Sequence, residues 1–283
     1  YAVKANPDTG VIDTLVGAGL RAFDVASPAE MALVRRALPD AVLHYHNPVR
    51  SMAEIAEARA FGIASWSVDR VSELDKLGDI AGQEIAVRLK LPVAGAAYDF
   101  GAKFGASPDD AASLLRMVAQ RGGRPAMTFH PGTQCADPEP WARYITTCAQ
   151  VAEQAGVMLA RLNVGGGFAA HRGGAAPDLD GIFARIGQAT RAAFGNNPPP
   201  LVCEPGRAMV AEAFQLLLRV KALSGEAVFL NDGIYGGLAE WRDLPAGDRI
   251  IALDTDGALR EGAGRPRIVF GPTCDSLDRL PDP

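Results

Sequence analysis

The sequence has few of the residues that build metal sites and disulfide frameworks. Its 283 residues include four cysteines and four histidines. No two cysteines have the Cys-x-x-Cys spacing, and no two histidines have the His-x-x-x-His spacing of a helical metal site. Scattered cysteines are typical of free thiols in a reducing compartment. We therefore expect neither a structural metal nor a disulfide framework.

Long apolar runs and clusters of basic residues are missing as well. No segment approaches the roughly 20 apolar residues that a membrane helix needs, and no apolar segment follows a basic N-terminus as in a signal peptide. The formal net charge is -5 and the basic residues are dispersed, which disfavours nucleic acid as a partner. These absences predict a cytoplasmic protein that binds neither nucleic acid nor membranes.

The sequence does contain enough apolar residues for a large core. Hydrophobic residues make up 48% of the chain and charged residues 22%, as in ordinary globular domains. Tyr1–Lys4 already has the pattern of a strand, with no initiator methionine before it, and the chain stops at Pro283. We expect the natural protein to extend beyond both ends.

Short apolar runs alternate with amphipathic segments over the first two thirds of the chain, which indicates repeated β-α units. The helical segments place apolar residues three and four positions apart, as in Met31, Val34 and Leu38. Eight such units in roughly 200 residues predict a closed (β/α)8 barrel of the TIM type rather than an open sheet. The predicted strands are Ala2–Lys4, Ala22–Val25, Val42–His46, Ala64–Val68, Ile85–Leu91, Ala126–His130, Leu162–Val164 and Leu201–Glu204.

The pattern changes after Arg207. Met209–Leu223 is a long apolar segment that suits a strand, and the next strand candidates follow without an amphipathic helix between them. We therefore predict two domains, a barrel at residues 1–207 and a β-rich domain at residues 208–283. The later strand candidates are Ala227–Leu230, Arg249–Leu253 and Arg267–Phe270.

Polar and charged residues gather at the predicted carboxyl ends of the barrel strands. In a parallel barrel these ends meet at one mouth, where active sites lie. Strands end in polar loops in any protein, and that alone explains each residue taken singly. A lysine, a histidine, a glycine triplet and a glutamate together exceed what loop polarity requires. The residues concerned are Lys4, Asp24, His46, Asn47, Asp69, His130, Gly165–Gly167 and Glu204, with Arg88 inside the fifth strand.

Two of these features match the needs of a phosphorylated, lysine-bound cofactor such as pyridoxal phosphate. Lys4 is one of five lysines and the only one at the end of a predicted barrel strand, although a strand-end lysine can also simply extend to solvent. Gly165–Gly167, with Gly206 and Arg207 after the last strand, lies where barrels bind phosphate through backbone N–H groups. A flexible loop is the alternative explanation of the triplet.

Glu204 and His130 are candidates for contacts with the cofactor ring. Glu204 ends an apolar strand, so its carboxylate needs a buried partner. A protonated pyridine nitrogen would be such a partner, and a salt bridge with Arg207 or Arg88 is the alternative. His130 is placed either to stack on the ring face or to serve as a hydrogen-bonded core histidine.

Eight short segments stand in the order found in barrel-type (fold type III) pyridoxal-phosphate-dependent decarboxylases of basic amino acids. The last of them resembles the ornithine decarboxylase branch, because Asp275-Ser276-Leu277 replaces the Glu-Ser-Gly that typically follows the cysteine in diaminopimelate decarboxylases. The resemblance implies the alanine racemase/ornithine decarboxylase-like fold, a barrel followed by a β-rich domain. The segments are Tyr1–Asn6, Phe23–Ser27, Lys103–Gly105, Phe129–Thr133, Gly165–Phe168, Glu204–Arg207, Asn231–Gly233 and Gly271–Asp275.

The resemblance implies roles for individual residues. Lys4 is similar to the Schiff-base lysine, His130 to the ring-stacking histidine, and Glu204 to the partner of the pyridine nitrogen. The other implied cofactor contacts are Asp24, Arg88, Thr133, Gly166, Gly167, Gly206 and Arg207.

The same resemblance implies a homodimer with shared active sites. Cys274 is similar to the thiol that reaches the neighbouring subunit's cofactor and governs protonation after carbon dioxide leaves, and Asp275 to the carboxylate that receives the distal ammonium of the substrate. Asp243 is a candidate second substrate carboxylate, although the aromatic-Asp-His sequence expected there is missing. Lys103 and Asp278 are implied as an ion pair between subunits.

The resemblance implies a decarboxylase that converts ornithine, or a similar basic amino acid, to an amine for polyamine biosynthesis. Lysine, arginine, diaminopimelate and a specialised amino acid are the alternative substrates. A catalytically inactive, decarboxylase-like regulatory or binding protein is the alternative of another class. An alanine-type racemase is disfavoured, because racemases pair the ring nitrogen with arginine and this chain has Glu204.

Overall fold

A computed structural model shows how these segments fold. It describes residues 1–91, 103–171, 175–242 and 250–281. The chain divides into two compact units, one formed by Tyr1–Ala170 with Pro177–Ala211 and the other by the residues from Glu212 onwards with a short segment that starts at His171. The first unit contains the α/β repeats and the second contains the later strands.

The first unit is a curled parallel sheet with helices along the chain between its strands. Seven strands pair in sequence order from β1 to β7, and every pairing is parallel. This succession of adjacent parallel strands confirms the predicted β-α units. The strands are β1 (Ala22–Asp24), β2 (Val42–Tyr45), β3 (Ser65–Val68), β4 (Glu84–Arg88), β5 (Arg124–Thr128), β6 (Leu162–Asn163) and β7 (Leu201–Val202).

The first predicted strand is wrong in part. Within the described stretch Ala2–Lys4, only Ala2 forms a β-bridge, to Asp24 of β1. Val3–Ala5 is a 3-10 turn, closed by a hydrogen bond from the Asn6 N–H to the Val3 carbonyl, so Lys4 lies in a turn and not on a strand end. Ala2 still connects the two ends of the sheet, because its N–H donates to the carbonyl of Pro205 after β7, 3.0 Å away.

Side-chain caps fix where several helices of this unit begin. Ser27, Ser51 and Ser107 each accept a hydrogen bond from a backbone N–H of the first turn, and Ser51 forms a complete capping box with Glu54. A cap of this kind stabilises a helix by about 1 kcal/mol. The helices are α1 (Thr9–Gly17), α2 (Pro28–Ala37), α3 (Met52–Ala60), α4 (Val71–Lys76), α5 (Pro108–Gln120), α6 (Glu139–Ala155), α7 (Leu179–Phe194) and α8 (Arg207–Val210).

Aromatic residues pack the core against the strand ends. Phe129 stacks on Tyr144 with ring centroids 4.6 Å apart, and the buried indole of Trp141 donates to the carbonyl of Val164, 3.1 Å away. Trp141 therefore anchors the backbone that leads directly into the glycine triplet. Within the described ranges, no helix combines the length and the apolar character that a membrane span requires.

The second unit contains a three-stranded sheet in the order β10-β9-β8. Strand β8 (Val220–Ser224) pairs antiparallel with β9 (Ala227–Leu230), and β10 (Ile268–Phe270) pairs parallel with β9. Phe229 and Phe270 stack across the β9–β10 pair with centroids 5.3 Å apart. The strands predicted at 227–230 and 267–270 are thus confirmed.

Two other predicted strands of this region are wrong in part. Met209 lies in α8, and only the end of the Met209–Leu223 segment enters β8. Arg249 lies outside the described residues, and the rest of Arg249–Leu253 contributes a single bridge, from Leu253 to Leu259. Apolar content alone does not distinguish a strand from a short helix.

Asp278 is the polar centre of the second unit. It is 1% exposed, and its two carboxylate oxygens accept hydrogen bonds from the Ile234 N–H at 3.2 Å and from the N–H and hydroxyl of Thr273 at 3.0 and 2.7 Å. An ion pair with Lys103 of another subunit would need an accessible carboxylate. Asp278 is enclosed by its own chain in this structure, and the implied Lys103–Asp278 pair between subunits stays a prediction.

We expect Asp278→Ala to loosen the second unit selectively. The buried Ile234 N–H and the two part-buried donors of Thr273 would lose their acceptor, which corresponds to a loss of roughly 1–3 kcal/mol in the free energy of opening. Hydrogen exchange followed by mass spectrometry should show the loss in peptides from β8 to β10, with little change in barrel peptides. Asp254→Ala is the matched control, because the exposed Asp254 accepts two backbone N–H groups that water can satisfy instead. Equal protection in the two variants would contradict the assignment.

Candidate active site

Three acidic or imidazole side chains converge where the ends of β1, β2 and β7 meet. Ligand atoms of Asp24, His46 and Glu204 all lie within 4.8 Å of one another. Asp24 and His46 are 7% and 5% exposed, and the Glu204 side chain is 14% exposed. The structure thus confirms that residues far apart in the sequence share one end of the sheet.

Glu204 is held by a histidine and an amide. Its Oε1 lies 2.6 Å from His46 Nδ1 and accepts from Asn163 Nδ2 at 2.5 Å. The Asn163 Oδ1 in turn accepts from the Gly165 N–H at 2.9 Å, which fixes the orientation of the amide. The Glu204 carboxylate is thus held by His46 and Asn163, two partners that were not considered from the sequence.

The surrounding charges give Glu204 and Asp24 very different pKa values. Burial alone would raise the pKa of Glu204, but the hydrogen bond from His46 and the positive charges of His46, Lys4 and Arg88 lower it to about 2. Burial and the neighbouring Glu204 raise the pKa of Asp24 to about 7. Two carboxylates this close do not both ionise readily, so Glu204 carries the charge. The Asp24 Oδ1 has no partner among the described residues.

The glycine triplet is closely packed and is not a flexible loop. A Cβ on Gly165 or Gly167 would lie 2.0 Å from the Phe129 carbonyl or 1.9 Å from the Gly132 carbonyl, and both residues have positive φ angles, +71° and +84°. A Cβ on Gly166 would lie 2.6 Å from the Glu204 carbonyl. Side chains are excluded at all three positions. The Gly165 N–H is bonded to Asn163 Oδ1, so the N–H groups of Gly166 and Gly167 are the candidates for binding a ligand.

His130 lies against this triplet. Its Nε2 is 3.6 Å from the position of a Cβ on Gly166, and its Cε1 is 3.1 Å from that of Gly167. The Gly132 N–H donates to His130 Nδ1 at 3.3 Å. Burial and the positive charges of Arg88 and Lys4 lower the pKa of His130 to about 4, so its imidazole is neutral near pH 7.

Lys4 and Arg88 contribute positive charge to the same region. Lys4 is exposed in its turn, and its charge lowers the pKa values of Asp24, His130 and Glu204. Arg88 ends β4 and lies over the ring of Phe104, with Cζ 5.3 Å from the centroid. The lysine, the guanidinium and the two carboxylates are therefore close enough to influence one another.

The remaining predicted residues lie in different places. Gly206 precedes α8, which begins at Arg207, and a Cβ on Gly206 would lie 2.8 Å from the Ala5 side chain, next to Lys4. Thr133 is exposed in the loop after His130. Cys274 and Asp275 are exposed in the second unit, where Asp275 accepts from the Tyr235 hydroxyl at 2.7 Å. Asp243 lies outside the described residues.

His46, Asn163 and Ser65 are site residues that were not assigned from the sequence. His46 stood among the strand-end polar residues, but no partner could be named for it. Asn163 lies inside a strand and Ser65 begins β3, positions that carry no functional signal on their own. The feature that identifies them is burial, since Asn163 and Ser65 are only 3% and 0% exposed. Buried polar side chains of this kind need hydrogen-bond partners.

Asp24, His46 and Glu204 also satisfy the distances for holding a metal ion. However, the facing atoms of His46 and Glu204 already bond each other, 2.6 Å apart, and Asn163 donates to the same oxygen. We therefore assign the cluster to hydrogen bonding. The absence of a metal remains a prediction from the sequence.

The site fits a phosphorylated, lysine-bound cofactor. Glycine backbone that excludes side chains suits an anion, Lys4 supplies an exposed amine, and Glu204 supplies an ionised carboxylate beside the unpartnered Asp24 oxygen. A parallel α/β barrel with these groups at one end belongs to the class of barrel proteins that bind such cofactors.

Comparisons with known proteins identify the family. Residues 1–211 match the pyridoxal binding domain of the pyridoxal-dependent decarboxylases. The lysine/ornithine decarboxylase of Selenomonas ruminantium is 30% identical over 296 residues, which cover 99% of this chain and 72% of that protein. The chain belongs to the pyridoxal-dependent decarboxylases, a family with members that act on basic amino acids, and its cofactor is pyridoxal phosphate.

Solved structures agree with this assignment. A lysine/ornithine decarboxylase from Vibrio vulnificus, complexed with cadaverine, superposes with a TM-score of 0.84 at 29% identity and covers 99% of this chain and 75% of its own. A variant of SrLDC in complex with PLP superposes with a TM-score of 0.83 at 28% identity, with coverages of 99% and 73%. The predicted barrel with a β-rich domain is thereby confirmed.

We expect Gly166→Ala to weaken cofactor binding. The added Cβ would meet the Glu204 carbonyl at 2.6 Å, and the backbone has to shift to relieve the contact. Overpacking of this kind costs roughly 1–3 kcal/mol, which corresponds to a loss of affinity of about fivefold to a hundredfold in a fluorescence titration with pyridoxal phosphate. Gly17→Ala is the control, because its Cβ would meet nothing within 4 Å. Unchanged affinity in Gly166→Ala would show that the triplet does not shape the site.

Proposed function

We propose that the protein decarboxylates ornithine, or a basic amino acid of similar length, to the corresponding amine and carbon dioxide. The observation that carries the proposal is the ionised Glu204 at the barrel end, held by His46 at 2.6 Å and close enough to Lys4 for that charge to lower its pKa. The proposal is supported by the names of relatives, among them the ornithine decarboxylase 2 of Drosophila melanogaster, 29% identical over 308 residues.

Lys4 would hold the cofactor through a covalent bond, and Glu204 would hold it at the ring nitrogen. The Lys4 amine would bind the cofactor covalently and give way to the substrate amine. The Oε1 of Glu204 is occupied by His46 and Asn163. The Oε2 would therefore accept a hydrogen bond from the protonated ring nitrogen of the cofactor. When bound, pyridoxal phosphate accepts the electron pair released as the carboxylate leaves. An ionised Glu204 keeps the proton on the ring nitrogen and so favours that flow of electrons.

The phosphate group of the cofactor would be bound by backbone N–H groups as well as by charged side chains. We assign Gly166, Gly167 and Gly206 to it because a Cβ at each would collide with a neighbour. We add Arg207 because it follows Gly206, and Thr133 because it follows Gly132, whose carbonyl lies against Gly167. Helix α8 is a single turn, so its dipole adds little. Asp24 and Arg88 would line the ring edge, and the neutral His130 would lie against its face.

Cys274 and Asp275 would act from the partner subunit of a homodimer. They belong to a different unit of the chain from Lys4, so they need not serve their own barrel. Asp275 is held by the Tyr235 hydroxyl at 2.7 Å. The hydrogen bond from the Leu277 N–H and then that from Tyr235 lower the pKa of Asp275. An exposed, ionised carboxylate can receive the distal ammonium of the substrate, while Cys274 donates the proton that replaces the carboxylate. Asp243 stays a candidate for a second substrate carboxylate. The proposed reaction would serve polyamine synthesis in the cytoplasm.

A panel of four amino acids tests the proposed function. Carbon dioxide release should be fastest with ornithine, slower with lysine, and lowest with arginine and diaminopimelate. Lys4→Ala should abolish the release, while Lys221→Ala, a change in strand β8 of the second unit, should leave it unchanged. Release from none of the four by the cofactor-loaded protein would contradict the proposal and favour a catalytically inactive relative.

Subunit complementation tests the shared site. Lys4→Ala and Cys274→Ala proteins would each be inactive, but a heterodimer would contain one site with both lesions and one wild-type site. With random reassortment of a two-fold dimer, about a quarter of all sites should recover.

The matched control mixes Lys4→Ala with Glu204→Gln. Both lesions lie in the same unit of the chain, so every site would carry one of them and no recovery is expected. Demonstrated subunit exchange without recovery in the first mixture would exclude the shared site.

A further inference from the structure

A chain of polar side chains runs inward from Glu204 through the barrel. His46 Nδ1 lies 2.6 Å from Glu204 Oε1, and His46 Nε2 lies 2.8 Å from Ser65 Oγ. The same hydroxyl lies 2.7 Å from His44 Nδ1. Ser65 and His46 are 0% and 5% exposed, while His44 is half-buried. The roles assigned above use His46 only as the partner that holds Glu204, and they do not use Ser65 or His44.

The hydrogen-bond geometry restricts where the protons lie. The Asn163 amide is fixed by the Gly165 N–H, so its NH2 group points at Glu204 Oε1 and also lies 2.8 Å from His46 Nδ1. The 2.6 Å contact between His46 Nδ1 and Glu204 Oε1 needs a proton between the two atoms, because two bare acceptors would repel each other at that distance. The Ser65 hydroxyl has one hydrogen to share between two imidazoles. When His46 carries both protons, Ser65 accepts from His46 and donates to His44.

The surrounding charges favour this arrangement. Burial lowers the pKa of His46, but the hydrogen bond to Glu204 and the charges of Glu204, Asp24 and Glu84 outweigh it and raise the pKa. Burial, His46 and Arg161 lower the pKa of His44 to about 3, so His44 is a neutral acceptor. The charged or titratable groups that face this chain are Lys4, Asp24, Glu84, Arg88, Arg161 and Glu204.

We propose that His46 is a positioning residue for the reaction: a cationic His46, backed by Ser65 and His44, holds the Glu204 carboxylate ionised and aimed at the ring nitrogen of the cofactor. The proposal rests on the role proposed for Glu204 above. Asp24 already takes up a proton near neutral pH. Without the His46 charge the two neighbouring buried carboxylates would differ much less in pKa, so Glu204 would compete with Asp24 for that proton. A protonated Glu204 cannot accept the ring N–H as an anion.

His46→Asn removes the charge while keeping an N–H donor near the position of Nδ1. The ionised form of Glu204 is the one that binds, and a raised pKa depletes it as pH falls. The variant should therefore lose affinity for pyridoxal phosphate at low pH. We expect its affinity relative to wild type to fall roughly tenfold between pH 8.5 and pH 6, since a carboxyl that titrates near neutral pH loses its ionised form about tenfold for each pH unit below its pKa. The acidic limb of kcat/KM should move up by roughly one pH unit or more.

Ser65→Ala should give a smaller shift in the same direction, because it removes only the acceptor behind His46. His171→Asn, an exposed change in the other unit, should titrate like wild type. In a Glu204→Gln background, His46→Asn should shift nothing further, because its effect passes through Glu204. A merely structural role would lower the melting temperature and leave every pH profile in place.

Histidine-selective 15N NMR of the wild-type apoprotein gives a readout that needs neither activity nor a folded variant. His46 should have both nitrogens protonated at pH 7, and His44 only one. A singly protonated His46 at pH 7, or a His46→Asn profile that superimposes on wild type, overturns the proposal. The Glu204→Gln variant distinguishes a failure of this proposal from a failure of the proposed function. A hundredfold loss of turnover supports the role of Glu204, whatever the His46 variants show. Turnover equal to wild type would contradict the role of Glu204 and, with it, the role of His46.

Discussion

A carboxylate buried in the wall of a barrel has to be paired, and Glu204 is paired by His46 and Asn163 at 2.6 and 2.5 Å. Breaking such a pair by removing one partner typically costs about 3–5 kcal/mol. The bond joins the end of β2 to the end of β7, which the parallel sheet places on the same side. The ionised state of Glu204, the raised pKa of Asp24 and the orientation of the Asn163 amide all depend on it.

Close backbone contacts complete the site where side chains would not fit. The Gly165 N–H bonds Asn163 at 2.9 Å, and the Gly165 carbonyl accepts from the Glu204 N–H at 2.8 Å. The triplet is thus tied to the carboxylate on both sides, and the Trp141 indole holds the preceding strand end. Rigid support of this kind lets a barrel hold a cofactor at one orientation. The cofactor supplies the electron-accepting chemistry, and the barrel fixes the position of its ring.

Much of this arrangement follows from sequence periodicity, because apolar runs between amphipathic helices fix both the barrel and the ends at which polar residues gather. The placement of Asp24, His130, Gly165 and Glu204 near one another required only that rule. The turn at Lys4 did not follow, because a hydrogen bond from Asn6 to Val3 decides it against an apolar, strand-like sequence.

Long-range partners were beyond the reach of sequence patterns. Ser65 and His46 are separated along the chain, and nothing in either segment indicates that they meet 2.8 Å apart. Asp278 was expected at a subunit interface, yet Thr273 and Ile234 enclose it. In each case the deciding factor is the need of a buried polar group for partners, which only the folded arrangement reveals.

The measurement that tests the central claim most directly is borohydride reduction of the cofactor-loaded protein, followed by peptide mapping. The site described above predicts one pyridoxyl adduct, on Lys4, because Lys4 is the lysine whose charge acts on Asp24, His130 and Glu204. Lys76, by contrast, is already bonded to Glu73 and to the Arg50 carbonyl. An adduct on Lys76, Lys90, Lys103 or Lys221 instead of Lys4 would contradict the placement of the active site at this end of the barrel.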